Sequence, residues 1–367
     1  MDYALPPDAR QWQATARAFT RDVLGPLEPQ LPVAEGPLPA PAAIAEQRRQ
    51  LGLWGLTVPA DHGGQDLSWL ARALVSEELH HSLLGLWPHQ VMAAGEPPTP
   101  LYAAAEFLRP CLDGSRVAHQ VRVRAGSLPQ GLLVRPTNQG VVLDGDLTHV
   151  PGFAVADLMV LVVDQGQSAT AYLCDAGQPG LAVRRRTPTM GAVELVDLMF
   201  SDCEIPAGRI MPDVGEAAGY WQAGVRLTVL AAGAVGAAHH CLEHAIAYAR
   251  ARHTFGRPLA DRQAIQWMLA DSARELHAAR LLVYQAAARA DRGDDPARPA
   301  AWAKVYATDV ATRIVDRVMQ IHGGSGYSRD LPWEHFWRDL RYYRLAEGDN
   351  RELTGDFAAD LVALLNS

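Results

Sequence analysis

The stretch that decides the fold is Gln320-Ile321-His322-Gly323-Gly324-Ser325-Gly326-Tyr327, followed about twenty residues later by Leu345-Ala346-Glu347-Gly348-Asp349-Asn350. The glycine run comes directly after an apolar helical pattern. It can therefore end that helix and expose backbone N–H groups to an anion or a flat cofactor. Glu347 then follows a basic and aromatic run, residues 338–344. Taken one at a time, the two pieces also fit helix C-caps joined by a charged surface helix.

The composition is that of an ordinary globular protein. Of the 367 residues 49% are hydrophobic and 20% are charged, and the net charge is −8 with a pI near 5.9. This balance argues against a surface built for nucleic acid or an anionic membrane. The longest apolar stretch, residues 227–238, is too short and too rich in Ala and Gly to predict a membrane span.

The N-terminus and the cysteines indicate the cytoplasm. The first residues contain no basic region followed by an apolar one, so we expect no secretory signal. The cysteines lie far apart and show no CxxC spacing; they are Cys111, Cys174, Cys203 and Cys241. This pattern is typical of free thiols in a reducing compartment, and we assign them no role.

Hydrophobic periodicity divides the chain into three parts. Three- and four-residue apolar spacing predicts helices over residues 9–25, 41–51, 68–84 and 101–109. From residue 115 the pattern changes to short β segments separated by turn residues, as in a small antiparallel barrel or sandwich. Long helical patterns return over residues 215–251, 261–292, 297–321 and 351–366, which is typical of a four-helix bundle.

We therefore predict an α+β, mostly helical fold. It has an N-terminal helical domain (1–114), a central antiparallel β-barrel (115–212) and a C-terminal four-helix bundle (213–367).

Two groups of residues invite a metal-site hypothesis. Glu77-Glu78 and His80-His81 share one predicted helix, but adjacent helical residues point about 100° apart, which favours a solvated face. His240 and His244 have the spacing of a zinc motif, but Cys241 occupies the place of its glutamate. We predict no metal.

The sequence contains neither a Rossmann nor a P-loop phosphate-binding motif. The glycine run does not follow a predicted strand, so it does not indicate a Rossmann site, and no GxxxxGK[ST] loop occurs. Arg250-Ala251-Arg252-His253-Thr254-Phe255-Gly256 closes the first bundle helix. Its cations fit simple partners of the helix dipole. Arg252 and Thr254 beside a glycine turn also fit a pyrophosphate site.

The order of domains and several motifs resemble the acyl-CoA dehydrogenases, a family of flavoproteins. In the first domain the resemblance rests on Leu51-Gly52-Leu53-Trp54-Gly55-Leu56 and Glu77-Glu78-Leu79, and in the β domain on Leu143-Asp144-Gly145. The bundle supplies the most specific matches, Arg252-His253-Thr254-Phe255-Gly256 with Gln263, the glycine run after Gln320, Arg338-Asp339 and Glu347-Gly348.

The resemblance implies an FAD-dependent dehydrogenase in fatty acid metabolism. In this family a glutamate removes the α-proton of an acyl thioester while the β-hydride passes to FAD, and the match places that base at Glu347. Some relatives place the base near Arg226 instead, where this chain has no acid. The thioester is carried by coenzyme A or by an acyl carrier protein, and an electron-transfer protein accepts the electrons.

The resemblance also assigns cofactor-binding residues. Arg252 and Thr254, with Phe255, would meet the FAD pyrophosphate. Gln263 and the turn formed by Gln320, Gly323 and Gly324 would meet the adenosine part across a subunit interface. Asp349 lies where the family has a cofactor-binding threonine. A homotetramer, or a dimer, would then complete each site.

Three segments depart from the family pattern. His149-Val150-Pro151 replaces a Trp-Ile-Thr segment that covers the flavin, and proline offers neither a hydroxyl nor an N–H. Residues 121–125 replace a Thr-Glu-Pro loop. Asp349 brings a negative charge that only a cation such as Arg351 would neutralise. These departures leave open an alternative, a flavin-poor or non-catalytic subunit that pairs with a complete homologue.

Overall fold

The computed structural model describes residues 5–30, 41–86, 97–124, 132–153, 156–164, 168–214 and 216–365. The helices are α1 (Pro7–Phe19), α2 (Pro41–Gln50), α3 (Trp69–Leu79), α4 (Ala105–Leu112), α5 (Glu216–Ala251), α6 (Gln263–Ala290), α7 (Ala297–His322), α8 (Gly324–Tyr327), α9 (Trp333–Tyr343) and α10 (Asn350–Leu365). The strands are β1 (Ala118–Arg124), β2 (Leu133–Thr137), β3 (Gly140–Pro151), β4 (Leu158–Asp164), β5 (Ala169–Asp175), β6 (Leu181–Thr187), β7 (Leu195–Pro206), β8 (Ile210–Met211), β9 (His253–Thr254) and β10 (Arg257–Pro258). The elements follow the order helices, strands, helices, which confirms the predicted fold class.

The chain forms two compact units. The helical unit consists of Met1–Ala40, Leu67–Leu86 and Trp221–Ser367, and the β unit consists of Pro41–Asp66 and Trp87–Tyr220. All four cysteines are free, as predicted, and the structure buries all four.

In the helical unit, α3 begins at residues that bind its first free N–H groups. Ser68 Oγ accepts the N–H of Ala71 at 3.2 Å. The Asp291 carboxylate accepts the N–H groups of Trp69 at 2.6 Å and Leu70 at 3.1 Å. Carboxylates near a helix N-terminus are favoured by its partial positive charge. Asp291 directly follows α6, so this cap also fastens α6 to α3.

Helix α5 packs against α3 at two glycines. A Cβ on Gly236 would lie 2.0 Å from the carbonyl oxygen of Glu77, and a Cβ on Gly233 would lie 2.7 Å from the His80 ring. Only glycine allows this approach, so the small residues in the α5 pattern mark a helix–helix contact.

The prediction that Glu77 and His80 belong to a solvated face of α3 was wrong. Glu77 is buried, and it accepts hydrogen bonds from Arg280 Nε and Tyr284 Oη, each at 2.8 Å. Burial raises the pKa of Glu77, although Arg280 and Tyr284 act in the opposite direction. His80 is also buried and lies 3.0 Å from Tyr343 Oη. The prediction failed because other helices cover both sides of α3, and these helices come from distant parts of the sequence.

The β unit contains two four-stranded sheets, with the orders β1-β4-β5-β8 and β2-β3-β7-β6. Buried side chains from both sheets form one core cluster, which includes Leu143, Leu161 and Leu198. The other face of β4 packs with residues of α4, so its side chains from Leu158 to Val163 are all buried. Burial on both faces explains the continuous apolar run of this strand.

The predicted antiparallel β-barrel needs correction. The two sheets are separate and open, and β1 runs parallel to β4 with Ala118 opposite Leu158. The other neighbouring strands are antiparallel. Between β1 and β4 the chain crosses to the second sheet and returns, and such a crossover permits a parallel pair. Short strands with regular turns predict a barrel and a sandwich equally well.

Helix α5 is long and apolar enough to cross a membrane by length and composition alone. The apolar part covers Gly224–Ala251, which is longer than the predicted stretch, residues 227–238. However, 72% of its most apolar window is buried inside the protein. Such burial is typical of a helix in the core of a protein.

Candidate functional site

Glu347 lies on the loop between α9 and α10, in a backbone conformation that is rare for glutamate. Its φ is 56°, in the left-handed region, and the φ of Gly348 is 107°. Residues with side chains adopt such angles only where the surrounding structure holds them. The Glu-Gly pair therefore forms a tight turn that presents one carboxylate.

The side chain of Lys304 binds this loop through hydrogen bonds. Lys304 lies on α7 and is fully buried. Its Nζ donates to the carbonyl oxygens of Gly348 at 2.6 Å and Arg344 at 3.2 Å, and to Asn350 Oδ1 at 2.9 Å. The three protons of one ammonium group thus bind both ends of the turn that carries Glu347.

A second set of contacts fastens the same loop to α7. Asn350 Nδ2 donates to Thr308 Oγ1 and to Asp309 Oδ1, each at 3.0 Å. Arg344 forms an ion pair with Asp309, with Nε 2.7 Å from Oδ1. Both flanks of the loop are therefore fixed before any ligand binds.

Sequence reasoning missed Lys304, although a signal was present. Lys304 is the only lysine in the chain, where every other basic residue that is not histidine is arginine. A compact ammonium fits three converging acceptors in a way that the planar guanidinium does not.

We expect the Lys304 amine to titrate near pH 8 rather than near pH 10.5. Burial lowers the pKa of Lys304 to about 8, although the negative charges of Asp349 and Glu347 act in the opposite direction. Between pH 8 and 10.5 the unfolded chain binds more protons than the folded protein. This group alone therefore makes folding more favourable as pH rises through that window. The ¹³Cε resonance of biosynthetically labelled lysine reports this residue alone, and a midpoint at 10.5 would contradict the expectation.

Glu347 forms an ion pair with Arg226 on α5. Arg226 Nε lies 2.7 Å from Glu347 Oε2, and the two side chains are 31% and 37% exposed. The partners are 121 residues apart in sequence. Sequence reasoning treated Arg226 only as the place where an alternative base is missing, but the structure brings it to the predicted base.

The predicted pyrophosphate residues form a small hairpin after α5. Strands β9 and β10 pair antiparallel, and the two residues between them, Phe255 and Gly256, have positive φ angles of 49° and 77°. Arg252 is exposed, and Phe255 is 96% exposed. The Arg262 guanidinium donates to the Thr254 carbonyl oxygen and lies 5.4 Å from the centre of the Phe255 ring. The hairpin thus holds Arg252 and Thr254 at the surface.

The predicted glycine turn ends α7. Gly323 has φ 59° and ψ −132°, a conformation that favours glycine, and its N–H donates to the Gln320 carbonyl oxygen at 3.1 Å. A Cβ at Gly323 or Gly324 would meet no heavy atom within 4 Å. Gln320 is also exposed. The backbone here is open to the approach of a ligand.

The hairpin and the glycine turn lie at the same end of the bundle. Tyr248 near the end of α5 stacks on His322 at the end of α7, with ring centroids 4.2 Å apart. Gln263 begins α6 directly after the hairpin and is exposed. Glu347 pairs with Arg226 near the other end of α5, roughly 38 Å away along the helix axis. The structure therefore gathers the predicted cofactor residues, but it keeps them apart from the predicted base of the same chain.

Asp349 is the exception among the predicted cofactor residues. It adjoins Glu347, and its Oδ1 accepts the backbone N–H of Arg351 at 2.7 Å. The side chain therefore caps the first turn of α10, where a negative charge is favourable. The bond is made with the Arg351 backbone and not with its guanidinium.

The segment His149-Val150-Pro151 lies at an irregularity in the pairing of β3 with β7. His149 has φ 57°, and its N–H donates to Asp197 Oδ1 at 2.8 Å. Pro151 has no N–H to offer. The segment therefore lacks free backbone donors at these two positions. Of residues 121–125, Val121 and Val123 are buried in the sheet core, and Ala125 lies outside the described residues.

The structure also joins histidines that the spacing argument did not pair. His81 Nε2 lies 3.0 Å from Glu243 Oε2, and His239 Nε2 lies 3.3 Å from Glu243 Oε1. Their ligand atoms all lie within 4.8 Å of one another. Glu243 is 53% exposed, so these polar contacts lie near the surface. Burial lowers the pKa of His239, which disfavours its charged form. His240 and His244 instead pack against each other, with ring centroids 4.3 Å apart.

Two family models match the chain. Residues 6–98 match the family model described as Acyl-CoA dehydrogenase, N-terminal domain. Residues 224–361 match the model described as Acyl-CoA dehydrogenase, C-terminal domain. The second match contains Arg226, Lys304, Glu347 and both cofactor motifs.

Individual relatives cover nearly the whole chain. (R)-Benzylsuccinyl-CoA dehydrogenase of Thauera aromatica is 30% identical, over 95% of this chain and 94% of the relative. A caffeyl-CoA reductase–Etf complex subunit of Acetobacterium woodii is 27% identical, over 85% of this chain and 87% of the relative. The structure of butyryl-CoA dehydrogenase from Megasphaera elsdenii superimposes with a TM-score of 0.85 at 24% identity, covering 99% of this chain and 100% of that one.

Proposed function

The chain belongs to the acyl-CoA dehydrogenase family of FAD-dependent oxidoreductases, and we propose that it introduces an α,β double bond into an acyl thioester with Glu347 as the base. The α-proton goes to the Glu347 carboxylate, and the hydride leaves the β-carbon. Bound FAD supplies the two-electron acceptor for that hydride. The reaction class follows from the family, and the residue assignment follows from the site.

The observation that carries the assignment is the fixed position of Glu347. Lys304 and Asn350 hold its loop, and its φ of 56° aims the carboxylate at Arg226. The resemblance places the base of some relatives near Arg226, so the proposed reacting carbon would lie close to the Arg226–Glu347 pair. A general base must lie within hydrogen-bond reach of the proton that it removes. Glu347 meets the requirement that its position be fixed in advance.

Several residues of the chain fit the distal part of FAD. Arg252 and Thr254 would hold the pyrophosphate, since an arginine and a hydroxyl are suitable phosphate donors. Gln263, Gln320 and the open backbone at Gly323 and Gly324 would hold the adenosine part. Phe255 and Asp349 stay in this proposal as neighbours of the cofactor. At Pro151 the chain supplies no donor, so flavin contacts there must come from other residues.

We further infer that two copies of the chain complete each site. The hairpin residues lie roughly 38 Å along α5 from Glu347, which is longer than an extended FAD molecule. Three large side chains at the hairpin end are strongly exposed: Phe255 at 96%, Tyr327 at 92% and Trp267 at 62%. Exposed apolar groups clustered in this way favour an interface. A homotetramer or a dimer would place the hairpin of one copy near Glu347 of another.

An electron-transfer flavoprotein is the proposed acceptor of the electrons. The relative from Acetobacterium woodii is named as a subunit of a complex with Etf. The proposed location is the cytoplasm, and the proposed pathway is fatty acid metabolism.

We expect the purified protein to be yellow because it binds FAD. In the Arg252→Ala variant we expect the affinity for FAD to fall roughly tenfold, since a charge-assisted bond to phosphate is lost. Absorption spectra and titration of the apoprotein with FAD measure both quantities. Arg274→Ala is the control, because Arg274 is a surface residue of α6, 74% exposed and paired with Asp271. Protein that stays colourless in excess FAD would contradict the proposal and favour the flavin-poor alternative.

A further inference from the structure

Arg226 is an unusual residue for its position on α5. Between Gly224 and Cys241 it is the only residue among Asp, Glu, Lys and Arg, in a stretch made largely of apolar and small side chains. Its neighbour Leu227 is buried, and Arg226 itself is partly buried. Taking a guanidinium partly out of water costs free energy unless it has partners. A charge at this point therefore needs an explanation beyond helix packing.

The one contact of Arg226 leaves most of its donors unused. Glu347 is bound through Nε alone, at 2.7 Å. In the described part of the chain, Nη1 and Nη2 make no hydrogen bond or ion pair. A guanidinium has five donor hydrogens in a planar fork that matches a carboxylate in a bidentate pair. Arg226 thus has donors available for a second anion.

The position of these donors relates them to the substrate of the proposed reaction. A base oxygen lies roughly 3 Å from the atom whose proton it removes. Arg226 Nε lies 2.7 Å from a Glu347 oxygen. The guanidinium is then within roughly 6 Å of the α-carbon, by the sum of these two distances. Substituents on the β- or γ-carbon of the acyl group come within its reach.

The ion pair occupies one of the two carboxylate oxygens of Glu347. Oε2 accepts from Arg226 Nε, so release of Arg226 would free both oxygens for the α-proton. A hydrocarbon chain offers Arg226 no replacement partner. A substrate carboxylate does, and it would exchange one charge-assisted bond for a bidentate pair.

We propose that Arg226 recognises a carboxylate on the β- or γ-carbon of the acyl group, an inference that rests on the proposed function. The substrate is then a monothioester of a dicarboxylic acid. On binding, Arg226 turns from Glu347 to the substrate carboxylate, and Glu347 becomes free to take the α-proton. The carboxylate undergoes no reaction. The bonds broken and formed are those of the proposed dehydrogenation, with no additional oxidant.

The test measures binding to the holoprotein with thioesters that cannot react. 3-Thiabutyryl-CoA and 3-thiaglutaryl-CoA have sulfur in place of the β-carbon, so they have no β-hydride to lose, and they differ only by one carboxylate. We expect the carboxylated analogue to bind roughly 10- to 100-fold more tightly, as charge-assisted hydrogen bonds predict. In Arg226→Met this preference disappears, while the surface control Arg274→Met keeps it. Equal affinities in the unmodified protein would overturn the inference.

Turnover separates this inference from the function on which it rests. With butyryl-CoA and glutaryl-CoA as substrates, the inference predicts higher kcat/KM for glutaryl-CoA, and a reversed order in Arg226→Met. Preference of the unmodified protein for butyryl-CoA would overturn the inference and leave the dehydrogenase function intact. If neither thioester reduces the bound flavin, the proposed function fails, and the binding preference still decides the role of Arg226.

Discussion

Replacing Glu347 with glutamine is expected to lower the rate of flavin reduction by acyl thioester roughly 1,000-fold, within the usual range for loss of a general base. The amide has nearly the shape of the carboxylate but does not accept the α-proton. We expect FAD to stay bound, because its proposed pyrophosphate and adenosine contacts come from other residues, among them Arg252, Thr254 and Gln263. The measurement is anaerobic bleaching of the visible flavin band after rapid mixing with substrate.

Glu352→Gln is the matched control for this experiment. Glu352 is exposed on the first turn of α10, five residues from Glu347, so it loses the same charge without touching the loop. Full bleaching in Glu347→Gln would remove Glu347 from the role of base. Loss of flavin from this variant would instead show that Glu347 contributes to cofactor binding.

Replacing Lys304 with methionine is the second change with a large expected effect. Methionine fills similar space but leaves the Gly348 and Arg344 carbonyl oxygens and Asn350 Oδ1 without their donor. Unsatisfied buried acceptors are costly, and we expect a loss of about 2 to 4 kcal/mol in the free energy of unfolding. The loop would also shift, and a displacement near 1 Å lowers kcat roughly 100-fold.

Two measurements distinguish positioning from folding in this variant. Thermal or denaturant unfolding gives the stability change, and kcat is expressed per bound flavin. A positioning role predicts that kcat per flavin falls more strongly than flavin content. If only the yield of flavin-loaded protein falls and kcat per flavin is unchanged, Lys304 serves folding alone. Arg274→Met is again the control for loss of one cation.

The Arg226–Glu347 ion pair relates Arg226 to the proposed base in a way that the sequence alone did not suggest. On sequence alone, the missing acid at Arg226 only favours Glu347 as base. In the structure, Arg226 and Glu347 form an ion pair, with Nε 2.7 Å from Oε2. The proposed carboxylate-bearing substrate accounts for an arginine at position 226.

Local sequence patterns predicted the positions of the helices well, but they did not predict how sheets close or which side chains meet. Predicted helices 297–321 and 351–366 correspond closely to Ala297–His322 and Asn350–Leu365, because apolar periodicity and the glycine stop are properties of the segment itself. The predicted barrel needed correction because a pattern of short alternating strands does not determine whether the sheets close into a barrel. The exposure of Glu77 was wrong because its partner Arg280 lies 203 residues away.

The sequence by itself determined the order of helices and strands, the glycine turn at Gly323 and the identity of the candidate base. Each of these depends on residues close together in the chain or on a recognisable motif. The tertiary structure alone decided that Lys304 holds the Glu347 loop and that Arg226 binds its carboxylate. Hydrogen bonds and ion pairs depend on distances of about 3 Å between side chains, and folding brings those side chains together from any separation in sequence.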